Sequence, residues 1–203
     1  MGRIFRQRRQ LLLYLGLGVV GAGATALKLK PREDEQSPIV QPITESKQAL
    51  ASVKASGNPL PDFQGIQQWL NSAPLSIADL KGNAVLIQFW TFACINCQRT
   101  LPYVTRWHRQ YAAQGLKVIG IHTPEFAFER DPSNIRQAIE KHQITYPVPV
   151  DNEYKTWKAY QNEYWPHLFL ADRRGLMRYD HIGEGAYDTT EQMIQTLLKE
   201  SAS

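Results

Sequence analysis

The only two cysteines of the chain stand three positions apart, in the stretch FWTFACINCQRTLPYV at residues 89–104. The apolar run that ends at Trp90 predicts a buried strand, and apolar residues at helical spacing follow the cysteines. Cys94 is therefore expected where a strand turns into a helix, and a helix N-terminus lowers a cysteine pKa from about 8.5 to roughly 3.5–7.5. Cys97, one helical turn later, could attack a mixed disulfide on Cys94. The spacing predicts two-step thiol–disulfide exchange.

Other uses of the pair fit less well. A structural disulfide would close a loop too short to constrain the unfolded chain much. A zinc site needs two further ligands and haem attachment needs a histidine after the second cysteine, where Gln98 stands. A copper site formed by the pair with His181 or His122 stays open, as part of a copper chaperone or a redox-silent binding module. Exchange itself calls for no cofactor and no metal.

A thiol peroxidase is a further alternative. Its motif P-x-x-x-T-x-x-C is half present, because Thr91 precedes Cys94 by three positions. The position that requires proline holds Ile87, which counts against this activity.

The charge distribution argues against nucleic-acid binding. The net charge of the 203-residue chain is +4, and four of its 23 basic residues lie at positions 3, 6, 8 and 9. The other 19 basic residues balance the 19 acidic ones, so the body of the protein offers no basic surface for a phosphate backbone. The length suits one domain with extensions.

The N-terminal segment has the pattern of a targeting sequence. Residues 11–27 are uncharged and mostly apolar, follow a basic flank, and predict either an uncleaved membrane anchor or a cleaved signal. Residues 28–61 are rich in proline, serine and charge, and predict a flexible linker. Either reading places residues 62–203 outside the cytoplasm, in a periplasm, a lumen or the cell exterior.

The rest of the chain predicts an α/β domain with a central mixed sheet flanked by helices. Strands are expected at residues 84–90, 115–123 and 146–151, with a hairpin at 168–182 that turns at residues 172–175. Helices are expected at residues 94–114, 131–144 and 189–198. Asp131 is predicted to cap the second helix before Pro132, and Thr189 with Gln192 is predicted to form a capping box at the last.

Four stretches carry a resemblance to a known family: FWTFACINCQRTLPYV, GLKVIGIHTPEFAFE, YPVPVDNEYKTWKAYQNEYWP and HIGEGAYDTTEQMI. They resemble the thioredoxin-like superfamily, specifically its membrane-tethered TlpA-like branch and the C-terminal domain of DipZ-type proteins. The resemblance implies a thioredoxin fold in which Cys94 attacks and Cys97 resolves. It also implies that Pro166 is a cis proline beside the pair and that Pro102 is the helix-kinking proline. The partners it implies are protein thiols or disulfides and a redox partner protein.

The sequence departs from thioredoxin at several site positions. Ile95 and Asn96 stand between the cysteines, where residues help set the redox potential, and we predict that they contact the partner. Trp165 is predicted to contact the partner too, with simple packing as the alternative. Gln88 occupies the position of thioredoxin's buried aspartate and cannot titrate. Our hypothesis is that Glu125, just past the second core strand, supplies a carboxylate instead, unless it only caps the chain or faces water.

Overall fold

The structure is a computed structural model that describes residues 57–200. The predicted anchor or signal at residues 11–27 and most of the predicted linker lie outside the described residues. Within residues 57–200, no helix combines the length and the apolar character needed to cross a membrane.

A six-stranded mixed sheet forms the centre of the described part. Its strands are β1 (Gln68–Leu70), β2 (Ala84–Trp90), β3 (Leu116–His122), β4 (Val148–Val150), β5 (His167–Ala171) and β6 (Met177–Ile182), in the order β1-β4-β3-β2-β5-β6. β2 pairs with β3 in parallel and with β5 antiparallel, and β5 and β6 form an antiparallel hairpin. The end of β2 therefore lies beside the start of β5, which brings the two halves of the candidate site together.

Four α-helices cover the sheet: α1 (Ile95–Tyr111), α2 (Pro132–Lys141), α3 (Lys155–Ala159) and α4 (Tyr187–Lys199). Side chains of α1, α2 and α4 share one core cluster with Leu86 and Trp90 of β2. Ile87 and Phe89 belong to a second cluster, which includes Trp157 of α3. Because β2 is buried on both faces, its sequence is a nearly continuous apolar run rather than an alternating one.

The folded part begins before the predicted boundary at residue 62. Leu60 is buried, and its N–H donates to the carbonyl of Gly175 at 2.9 Å. Pro59 forms an isolated bridge to Leu176. The last residues of the predicted linker thus pack against the hairpin.

One of the two predicted helix caps is confirmed. The Asp131 carboxylate accepts the Ser133 N–H at 2.8 Å, and Pro132 occupies the first turn of α2. The capping box at Thr189 and Gln192 is wrong, because α4 already begins at Tyr187 and its N-cap residue, Ala186, makes no side-chain cap.

Candidate active site

Cys94 is the N-cap residue of α1, at the end of the short turn that follows β2. Its Sγ accepts a hydrogen bond from the N–H of Cys97 at 3.2 Å. The sulfur thus pairs with one of the amide groups that have no backbone partner in the first turn of a helix. The side chain is partly exposed, whereas the neighbouring Cys97 is fully buried. Both cysteines are free thiols in this structure.

The environment makes the two thiols unequal acids. The Cys97 thiol and the N–H groups of Cys97 and Asn96 donate to Cys94 and, despite partial burial, lower the pKa of Cys94 from 9.0 to about 7. Burial raises the pKa of Cys97 far above its ordinary value, and the hydrogen bond to Cys94 and the charges of Cys94 and Glu129 raise it further. At neutral pH, about half of Cys94 is therefore thiolate, whereas Cys97 keeps its proton.

The segment before β5 forms the opposite wall of the site. The Trp165–Pro166 peptide bond is cis, as predicted, and Pro166 is buried. The carbonyl oxygen of Trp165 lies 3.8 Å from Cys94 Sγ. The Trp165 indole is half-buried, donates from Nε1 to the carbonyl of Thr123 at 3.0 Å, and packs on Trp157 with ring centroids 4.2 Å apart. Trp165 thus both packs in the fold and faces the reactive sulfur.

The two residues between the cysteines differ in exposure. The Ile95 side chain is 57% exposed, while Asn96 is partly buried and its carbonyl accepts the Thr100 hydroxyl at 2.9 Å. Ile95 therefore exposes an apolar side chain to solvent immediately beside Cys94. Pro102 lies inside α1, five residues after Cys97.

Exposed apolar side chains concentrate around Cys94. The large apolar side chains that are exposed within residues 57–200 are Ile95, Phe126, Phe128, Tyr164 and Ile182. The Phe126 and Phe128 rings stack with centroids 5.8 Å apart, and Phe128 also contacts Phe92, two residues before Cys94. Tyr164 precedes Trp165. All but Ile182 thus lie in segments that contact the Cys94 turn.

Gln88 and Glu125 differ sharply in their surroundings. Gln88 is fully buried, and neither polar atom of its side chain has a hydrogen-bond partner in the described residues. Glu125 is exposed; its charge acts on Cys94 by raising the pKa of that thiol slightly, as the smallest of the causes. The catalytic role of Glu125 stays a prediction. The carboxylate that is buried at the site belongs to Glu129.

The sequence reasoning missed Glu129. This residue lies in a 3₁₀ turn (Ala127–Arg130), and its carboxylate accepts the N–H groups of Ala93 at 3.0 Å, Glu125 at 2.6 Å and Phe126 at 2.8 Å, and the Thr91 hydroxyl. The bond to Phe126 is one half of a capping box, since Glu129 is the third residue of the turn that Phe126 precedes. That spacing was the available sequence signal.

His122 completes this buried network. Its Nε2 lies 3.3 Å from the Thr91 hydroxyl oxygen, and its ring stacks on Phe92 with centroids 5.6 Å apart. Burial lowers the pKa of His122 to about 4, although the charge of Glu129 opposes the shift. His122 is therefore neutral at physiological pH. Within residues 57–200, no group of three or more histidine, cysteine, aspartate or glutamate side chains could hold a metal ion.

Comparisons with known proteins agree with this fold. The family model described as "AhpC/TSA family" matches residues 56–180. The chain belongs to this family. It is 44% identical to Protein DipZ of Mycobacterium bovis over 162 residues, which cover 78% of this chain and 23% of DipZ. It is 29% identical to the thiol-disulfide oxidoreductase YkuV of Bacillus subtilis over 143 residues, which cover 70% of this chain and 96% of YkuV.

The fold is also similar to those of solved structures of thioredoxin-like proteins. A thiol-disulfide isomerase from Corynebacterium glutamicum superimposes with a TM-score of 0.63 at 28% identity, covering 70% of this chain and 98% of that protein. The predicted resemblance to thioredoxin-like proteins is thus confirmed, as is an α/β fold with a mixed sheet flanked by helices. The chain spans less than a quarter of the DipZ relative, at 23% of its length.

Proposed function

We propose that this protein is an extracytoplasmic thiol–disulfide oxidoreductase that exchanges disulfides with protein partners through Cys94 and Cys97. The observation that carries the proposal is the difference between the two thiols. Cys94 is partly exposed at a helix N-terminus with a pKa of about 7, and Cys97 is buried behind it and donates to it. Two-step exchange requires a nucleophilic thiolate and a second thiol close enough to attack the mixed disulfide.

The reaction balances with the two cysteines alone. The Cys94 thiolate attacks one sulfur of a partner disulfide, a new S–S bond forms, and the partner's other sulfur leaves as a thiolate. Cys97 then loses its proton to solvent and attacks Cys94 Sγ, which releases the second partner thiolate. The partner gains two electrons and the pair becomes a disulfide. The reverse sequence would oxidise a partner dithiol.

The surroundings of Cys94 support a protein partner. Ile95, Phe126 and Phe128 are exposed apolar side chains in segments that contact the Cys94 turn, and protein–protein contacts commonly cover such side chains. On the other side, the Trp165 carbonyl and the buried Pro166 border the sulfur. We assign Ile95, Asn96 and Trp165 to partner contact. Glu125, which is exposed at the same edge, is the alternative to solvent as the acceptor of the Cys97 proton.

The location rests on the N-terminal sequence. Residues 11–27 follow an arginine-rich flank and are apolar enough to direct export, either as an anchor or as a cleaved signal. Fusing a reporter that folds only outside the cytoplasm to the C-terminus of the full chain tests this. An active reporter supports export, and an inactive one overturns it. Cell fractionation then distinguishes an anchored chain from a released one.

The direct test of exchange is to trap the mixed disulfide. In a Cys97→Ser variant, Cys94 can attack but cannot be resolved, so a covalent adduct with a disulfide-containing protein is expected to accumulate. The matched Cys94→Ser variant is expected to form none. If neither variant forms an adduct, the exchange function is overturned.

The alternatives have their own outcomes in parallel assays. Peroxide consumption that depends on Cys94 would favour a thiol peroxidase. Thr91 is the threonine of the half-present peroxidase motif, and its hydroxyl donates to Glu129 in this structure. Stoichiometric copper binding by the reduced protein, lost on changing His181 or His122, would favour a metal chaperone.

A further inference from the structure

The carboxylate of Glu129 ties together two separate segments of the site. Its Thr91 and Ala93 donors belong to the turn that leads from β2 to Cys94. Its other donors, the N–H groups of Glu125 and Phe126, belong to the loop after β3. The residue is fully buried, and this one side chain therefore fixes the Cys94 turn against the loop that carries the exposed Phe126.

The same contacts fix the charge of Glu129. All four of its partners are donors, so a protonated carboxyl group would direct its own O–H against N–H or O–H groups. Burial raises the pKa of Glu129, but the hydrogen bonds from Thr91 and the three backbone amides lower it below its ordinary value. Among the ion pairs of residues 57–200, none includes Glu129. The carboxylate is thus an ionised group held by dipoles.

The network around Glu129 contains no second titrating group near neutral pH. Because the Thr91 hydroxyl hydrogen is donated to Glu129, the Thr91 oxygen is free to accept only, and His122 must carry its proton on Nε2. His122 has no further proton to exchange until well below pH 5, since burial lowers its pKa to about 4. The network therefore keeps a charge of about −1 across the range in which Cys94 ionises.

This fixed charge acts on the resolving thiol. It adds to the burial that raises the pKa of Cys97, whereas a hydrogen bond from the Thr91 backbone lowers that pKa and so opposes both. While Cys97 keeps its proton, it remains the donor that stabilises the Cys94 thiolate. The charge of Glu129 thus adds to the difference in acidity between the two thiols, which burial of Cys97 and its hydrogen bond to Cys94 already create, and favours Cys94 as the nucleophile.

We propose that Glu129 is a positioning residue of the exchange reaction, whose ionised carboxylate fixes the Cys94 turn to the loop after β3 and holds Cys97 as a thiol until the mixed disulfide has formed on Cys94. The inference rests on the proposed exchange function. Glu129 is not a proton acceptor in this scheme, because its oxygens are already occupied by four donors and it stays ionised throughout. It slows resolution and so prolongs the mixed disulfide with the partner.

The reaction with 5,5′-dithiobis(2-nitrobenzoate) separates the two steps. Cys94 attacks the reagent and releases one aromatic thiolate; Cys97 then loses its proton to the buffer, attacks Cys94 and releases the second. The rate of the second release at pH 7 reports resolution. In Glu129→Gln, which removes the charge and keeps the size, we expect this rate to rise about tenfold, the equivalent of one pKa unit on Cys97. Glu129→Asp, which keeps the charge, should accelerate the step less than Glu129→Gln.

Glu140→Gln is the matched control, since Glu140 is an exposed residue on α2. The proposal is overturned if the second thiolate release in Glu129→Gln is no faster than in this control. It is also overturned if Glu125→Gln accelerates the second release and Glu129→Gln does not. A residue that only supported the fold would lower both rates. A wild-type protein that releases only one thiolate would overturn the exchange function itself, whatever the variants do.

A second measurement on the unaltered protein decides the charge even if Glu129→Gln does not fold. The ¹³C chemical shift of the Glu129 side-chain carboxyl group is followed by NMR from pH 8 to pH 5. We expect no titration in this range, because the group stays ionised. A midpoint between pH 5 and 8 would make Glu129 a proton acceptor and overturn the proposal.

Discussion

Removing the Cys97 thiol tests how the site activates Cys94. The largest cause of the lowered pKa of Cys94, which is about 7, is the hydrogen bond from the Cys97 side chain. A hydrogen bond to a charged group contributes roughly 1.5–3 kcal/mol, and one pKa unit corresponds to about 1.4 kcal/mol. Cys97→Ala should therefore raise the pKa of Cys94 by at least about one unit, while the backbone N–H donors remain.

The expected consequence is a slower nucleophile at neutral pH. With a pKa of about 7, half of Cys94 is thiolate at pH 7. One unit higher, the fraction falls to about a tenth, so alkylation at pH 7 should slow about fivefold. The assay is the rate of iodoacetamide modification of Cys94 between pH 5 and 10, followed by mass spectrometry.

Cys97→Ser is the matched control for this prediction. Serine keeps a hydroxyl that can donate to Cys94, so its alkylation midpoint should lie closer to that of the wild type than the midpoint of Cys97→Ala does. A Cys97→Ala midpoint at or below that of the wild type would refute the reasoning, since the side-chain hydrogen bond would then contribute nothing.

Three further predictions concern stability and are checked by urea unfolding. Gln88→Leu should stabilise the protein by about 1–2 kcal/mol, because it removes a buried amide with no partner, and a lower unfolding free energy would contradict this. Gly120→Ala should cost about 1–3 kcal/mol, because the new Cβ would lie 2.7 Å from Tyr146 Cε2; an unchanged midpoint would show that the core yields. For Asp172, burial raises the pKa, but hydrogen bonds from Arg174, Arg178 and backbone amides lower it below its ordinary value of 3.8. Its contribution to stability is therefore complete above about pH 5 and is lost as the pH falls below about 4. Asp172→Asn should be less stable than the wild type at pH 7, and the gap should narrow toward pH 3; a constant gap would contradict the assignment.

Much of the fold could be predicted because its main elements are long and buried. The apolar run of β2 and the helical spacing after Cys94 result from direct packing against the two core clusters. β1 and α3 were not predicted, because three residues and five residues are too few to show a period. The N-cap residue of α3, Tyr154, has a φ of 59° and makes no side-chain cap, so the sequence carries no capping signal for this helix.

The start of α4 shows that tertiary contacts can override a local capping signal. Thr190 donates its hydroxyl to the carbonyl of Ala186, so the helix continues back beyond Thr189. The Tyr187 ring stacks on Tyr103 of α1 with centroids 3.5 Å apart. That contact involves two helices distant in sequence, and no local pattern encodes it.

Part of the candidate site could likewise be predicted from the sequence, and part could not. Cys94, Cys97 and the cis proline at 166 were accessible because sequence spacing and family resemblance mark them. Glu129 was missed because its carboxylate reaches the Cys94 turn only through a 3₁₀ turn in a loop. Sequence position alone favoured Glu125, which lies three residues after the end of β3 but is exposed.

The proposed function requires Cys94 and Cys97 to form a reversible redox pair. Its most direct test is to equilibrate the full chain with dithiothreitol or glutathione buffers, trap the thiols by alkylation and measure the oxidised fraction. We predict one two-electron transition, in which a tenfold change in the equilibrium corresponds to about 30 mV, and its loss in Cys94→Ser and Cys97→Ser. A midpoint near −270 mV would indicate a reductant, and one near −120 mV an oxidant. The absence of any reversible transition would contradict the account.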